Sequence, residues 1–183
     1  MKNAASDLPQ ANSAYGLARQ LLSGHLPDAT RSSLVERARR LREAERRGAS
    51  ALPLRGRHIA VVDLCEEGCG AADIVTRAAE ALGARVSHID SEALRRPGDC
   101  SALARMLGSL YDAVDCGELE AGRALELQAL AGVPVFTGLA CHHRPLWSLA
   151  PELAGERAIA DRAAAEREDL TALVKAVLLE TVA

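Results

Sequence analysis

At 183 residues, 49% of them apolar, the chain is the size of one globular domain with an ordinary core. Its net charge of −3, from 22 basic and 25 acidic side chains, excludes the basic footprint of a nucleic-acid binder. No apolar run approaches the roughly 20 residues that span a bilayer, and MKNAASDLPQANSAYG lacks a secretory h-region, so a cytoplasmic chain with five reduced cysteines and no membrane partner is expected.

Aromatic residues make up only 2%, so Leu, Val and Ala must build the core, a composition that favours helices. Residues 1–12 read as a loose polar start. A short helix is predicted over Ser13–Leu22, stopped by Gly24. Pro27-Asp28 opens a second helix with Asp28 as its cap. Leu34, Val35, Ala38 and Leu41 form its apolar stripe, and Gly48 ends it. The β-rich run HIAVVDL, starting at His58 and flanked by Gly56 and Gly68, reads as a buried strand with His58 exposed at its entry.

Helical spacing follows at Ile74, Val75, Ala78, Ala79 and Leu82, closed by Gly83. ARVSHI (84–89) is a second strand. The polar loop DSEALRRPGD leads to a helix with Leu103, Met106, Leu107 and Leu110 on one face. DAVDC (112–116) is a third strand, a helix runs from about Glu118 to Ala131, and VPVFTGL (133–139) is a fourth strand. Strands alternating with helices at this spacing argue for an α/β fold whose parallel sheet is covered on both faces. One more helix runs from Leu146 to about Gly155. A strong amphipathic stripe of Leu170, Leu173, Val174, Val177, Leu178 and Val182 marks the last one.

In an open parallel sheet, ligands bind beyond the carboxyl ends of the strands, near the switch point. That rule selects LCEEGCGAA after strand one, DSEALRRPGD after strand two, CGELE after strand three and ACHHRP after strand four. Four of the five cysteines fall in these loops (Cys65, Cys69, Cys116 and Cys141), together with His142 and His143. The first loop is unusual, because it carries Glu66 and Glu67 and no basic residue where such loops commonly hold an anion.

The segments LPLRGRHIAVV, EALGARVSHI, LARMLGSLYDAVDCG and LQALAGVPVFTGL, in this order, resemble the carbamoyl-phosphate domain of ornithine carbamoyltransferases, with the aspartate enzymes more distant. The resemblance covers about residues 21–150. It implies a three-layer α/β/α unit on a four-stranded parallel sheet, here spanning 13–155. REDLTALVKAVLLETV is similar to the family's last helix, which implies that 160–183 packs back on the same domain. The amino-acid-binding second domain and its H-C-L-P stretch are not seen between them. The family assembles as trimers, so a homo-oligomer is the expected state.

The resemblance also locates what has changed. The family's S-T-R-T-R phosphate loop aligns with Gly68, Cys69, Gly70, Ala71 and Ala72, without either arginine. The arginine that ends strand three is Cys116 here, and the family's H-P-T-Q is Arg144-Pro145-Leu146-Trp147. A degenerate ligand pocket lined by Gly68–Ala72, Cys116, Arg144 and Trp147 is the expectation, suited to a small anionic or amino-acid-like ligand.

Cys69, Cys116, Cys141, His142 and His143 supply the ligand types zinc prefers. The competing reading, favoured by the absence of any standard zinc spacing, is cysteine as a small apolar filler. Asp63 and Asp115, near strand ends, read as caps on neighbouring loop amides. Trp147 reads as structurally buried, and Arg144 as a partner for Glu66 or Glu67. Three functions follow: a catalytically inactive binding module, a carbamoyltransferase component needing its second domain from another chain, or a Cys/His metal or redox module.

Overall fold

The computed structural model describes residues 13–49, 51–62, 64, 70–89, 94, 100–142, 144–154 and 162–183. Four strands carry the fold: β1 (His58–Val62), β2 (Arg85–Ile89), β3 (Ala113–Asp115) and β4 (Val135–Phe136). All pair in parallel in the order β2-β1-β3-β4, with His58 opposite Arg85, Ile59 opposite Ala113 and Val114 opposite Val135. The helices are α1 (Ser13–Leu22), α2 (Asp28–Arg46), α3 (Ala71–Ala81), α4 (Ser101–Leu110), α5 (Ala121–Ala131), α6 (Ala150–Ala154) and α7 (Arg162–Thr181).

Strand order decides the layers. The chain steps from β1 to β2 in one direction, then returns to add β3 and β4 on the other side of β1. Right-handed crossovers therefore place α3 on one face and α4 and α5 on the other. The strands alternate to match. Ile59 and Val61, with Ala113 and Phe136, face the core shared with α1, α2, α3, α6 and α7. Ala60 and Val62, with Val114 and Val135, face the core shared with α4 and α5.

The helix ends show local chemistry at work. Glu120 caps α5, its carboxylate accepting from Gly122 N–H at 2.9 Å and Arg123 N–H at 3.0 Å. These bonds hold the Glu120 pKa below the ordinary value. α5 ends on Gly132 at φ +68°, and the Tyr15 hydroxyl of α1 donates to the Gly132 carbonyl. α4 and α5 approach backbone to backbone: a Cβ on Gly108 would lie 1.9 Å from the Ala131 carbonyl oxygen.

Four sequence expectations change. Asp28 is not a cap: Pro27 takes that position with no side-chain bond, and Asp28 sits in the first turn near the helix's positive end. His58 lies inside β1, half-buried, with Nε2 2.9 Å from Ser87 Oγ and its ring tilted on Tyr111. The expected helix from Leu146 divides into a 3₁₀ turn (Trp147–Leu149) and α6, because Pro151 has no N–H for the Trp147 carbonyl, which accepts from Ala150 instead.

The fourth change concerns the last helix. Its stripe residues are all buried, but so are Ala172, Lys175 and Ala176 between them. α7 packs against α1, α2, α3 and α6 and is enclosed along 172–178 rather than one-sided. Lys175 and Asp169, buried on it, pair with Glu45 and Arg42 of α2. Residues 155–161 alone separate α6 from α7. Among the described residues no helix is long and apolar enough to cross a membrane.

Candidate functional site at the strand ends

The reversal of strand order falls between β1 and β3, so the crevice expected to hold a ligand lies beyond Val62 and Asp115. Gly68, Cys69, Cys65, Glu66, Glu67 and Asp63 lie outside the described residues, as do His143 and the Arg95-Arg96 pair. What is described of the first loop is its exit. Gly70 stands at φ +66° before α3 with no side-chain cap, Ala71 is buried, and Ala72 is half-buried against the core. Ala71 and Ala72 present methyl groups, not donors.

Across the crevice, Asp115 ends β3 with its carboxylate turned into the β4 turn. Oδ1 accepts from Gly138 N–H at 2.9 Å and Leu139 N–H at 3.2 Å. This is the amide-capping role the sequence suggested. β4 is two residues long rather than seven, and on its C-terminal side the chain leaves the sheet in the turn that Asp115 holds, with Gly138 at φ +65°.

Cys116 follows with no exposed surface, its N–H donating to Phe136 O at 2.9 Å. Burial first, and the Asp115 charge second, push its thiol well above the ordinary value of 9.0. It is a neutral, enclosed thiol.

The β4 loop is close-packed. A Cβ on Gly138 would meet Cys141 Sγ at 2.5 Å and Gly117 O at 2.8 Å. Cys141 N–H donates to Gly138 O, Arg144 N–H to Cys141 O and Trp147 N–H to Arg144 O, each at 3.0 Å. Cys141 packs into the core of α1, α2, α3, α6 and α7, whereas Cys116 packs into the core of α4 and α5. Among the described residues no group of three His, Cys, Asp or Glu side chains is arranged to hold a metal ion.

His142 is exposed and stacks on Trp147, ring centroids 3.7 Å apart and tilted by 38°. Trp147 is half-buried at the edge of the core. Arg144 is half-buried as well, and its Nε is enclosed without a hydrogen-bond partner among the described residues. The sequence reading missed a cleft of about 880 Å³ on the helical face, between α2, α3 and α7, which meets the strand-end crevice at Gly70. Its signal was present in the charges of α7, which the apolar stripe overshadowed.

Sheet order, helix layers and the crevice define a transcarbamoylase-type α/β/α domain. No family model matches the chain. It is similar to the ornithine carbamoyltransferases of three Actinobacillus pleuropneumoniae strains, with 31% identity over 122 residues, 66% of this chain and 36% of theirs. Among solved structures, ornithine carbamoyltransferase from Pyrococcus furiosus superposes with a TM-score of 0.58 at 20% identity, over 68% of this chain and 40% of that one. Aspartate transcarbamoylase from Trypanosoma cruzi, in complex with N-(phosphonacetyl)-L-aspartic acid, gives 0.56 at 21%, over 81% and 47%. Sequence and structure together point to the ornithine/aspartate carbamoyltransferase family over about two thirds of the chain. The chain spans little more than a third of the curated relatives' length.

Proposed function

We propose that the chain is a carbamoyltransferase-type domain that does not transfer carbamoyl groups and instead serves as a binding module for a small ligand or a protein partner. The observation that carries this reading is Cys116. It occupies the position where the resemblance places a phosphate-gripping arginine, yet its side chain is enclosed, uncharged and closer in character to core than to site.

Two further features support it. At the exit of the first loop, Ala71 and Ala72 offer no side-chain donor. On the β4 side, the resemblance places the His of H-P-T-Q at Arg144, its Thr at Leu146 and its Gln at Trp147. The Trp147 ring is already engaged by His142, and Leu146 is buried. Each lost charged hydrogen bond is worth roughly 1.5–3 kcal/mol. Three such losses weaken phosphate binding by several powers of ten on the scale of about 1.4 kcal/mol per tenfold.

The test is a calorimetric titration with carbamoyl phosphate. No saturable heat up to millimolar ligand is expected. Micromolar affinity would overturn the reading.

A further inference from the structure

The cleft between α2, α3 and α7 lies on the helical face and touches the strand-end crevice of the functional reading above at Gly70. Its floor is Ile74 and Ala172, both buried, and its walls are charged. Five cations line it: Arg42 and Arg46 from α2, Arg77 from α3, and Arg167 and Lys175 from α7. Three carboxylates join them, Glu45, Asp73 and Glu168.

The cations are not equally committed. Arg42 pairs with Asp169, Arg46 with Glu43 and Lys175 with Glu45. Arg77 and Arg167 enter no ion pair among the described residues, although Asp73 sits one turn from Arg77 and Glu168 is the neighbour of Arg167. Two uncommitted guanidinium groups thus reach one cleft from two different helices. A guanidinium presents a planar fork of N–H donors matched to carboxylate and phosphate oxygens. The cleft volume of about 880 Å³ is that of a small-molecule site and far exceeds a single ion.

We propose that the α2/α3/α7 cleft binds a small organic oxyanion bearing two or more negative charges, gripped by Arg77 on one wall and Arg167 on the other. Such a ligand bridges α3 to α7 and joins the helical layer to the closing helix. Phosphoryl and carboxylate groups share the required chemistry, so two probes separate them: inorganic pyrophosphate and citrate.

The experiment is isothermal titration of the full chain with each probe at low and at physiological salt. One saturable site is expected for at least one probe, weakened by salt because both arginines are exposed. The Arg77→Gln/Arg167→Gln double variant should bind at least tenfold more weakly, with an unchanged circular dichroism spectrum. Arg105→Gln, on α4 at the opposite face, should bind within twofold of the parent. Saturation by pyrophosphate alone marks a phosphoryl ligand, and by citrate alone a carboxylate one; either result supports the site. Absence of saturation with both probes, parental affinity in the double variant, or equal weakening by Arg105→Gln would each overturn it.

Discussion

Asp115 and Cys116 are chain neighbours with opposite fates, and together they shape the strand-end crevice. The Asp115 carboxylate satisfies two backbone amides in a buried turn, so removing it leaves Gly138 and Leu139 N–H groups without their acceptor. Asp115→Ala should lower stability by about 2–4 kcal/mol, read from the urea midpoint at unchanged slope.

Cys116 behaves differently because burial disfavours its thiolate. The folded pKa lies above the unfolded one, so its contribution to stability is fully present below pH 9.0 and is lost as pH rises beyond it. The stability difference between parent and Cys116→Ala should be constant below that pH and shift against the parent above it in a stability–pH profile. Cys116 should also resist a thiol reagent in native buffer and react in urea, as followed by peptide mass mapping. The capping role of Asp115 was legible in the sequence, because a short acid at a strand end before a glycine turn has nearby amides to accept from. For Cys116 the favoured apolar-filler reading matches its burial, but how completely it is sealed was not legible, because alternation along β3 identifies which face a residue takes and not whether a loop closes over the strand end.

At the level of elements, glycine and proline did most of the marking. The Ser13–Leu22 helix followed from Gly24 and its apolar spacing, and the closure of α3 from Gly83. β4 was found but its length escaped, because VPVFTGL carries no charge to mark where pairing stops, while the Asp115 carboxylate on another strand holds the turn at Gly138. Gly108 was also silent, since a glycine inside a helical pattern reads only as a weak helix former. Its meaning comes from α5, whose Ala131 carbonyl occupies the space a methyl would need. Gly108→Ala should separate α4 from α5 and cost about 3 kcal/mol, more than any gain in helix propensity, as measured by thermal and urea unfolding.

For the whole molecule, α7 is the element on which the larger core depends. It touches α1, α2, α3 and α6, and its Leu173 and Val177 have no exposed surface. Leu173→Ala should destabilise by about 3 kcal/mol, at the level of a large-to-small change in a fully enclosed site. The loss should appear as one cooperative transition in both far-ultraviolet dichroism and tryptophan fluorescence from Trp147, which packs against the same core. The sequence marked α7 as one-sided from its stripe of Leu170, Leu173, Val174, Val177, Leu178 and Val182, whereas Ala172, Lys175 and Ala176 between them are buried because helices close in from several sides.

The sequence by itself determined the alternation of strands and helices, the parallel sheet and the likeness to carbamoyltransferases, because period, turn residues and short motifs are local properties of the chain. Only the tertiary structure decided which strand-end side chains face a crevice and which are sealed into one of two cores. It also decided that two arginines distant in sequence share a cleft. Those outcomes depend on which backbones come close across the sheet and between helices, and that proximity is not encoded in any single segment.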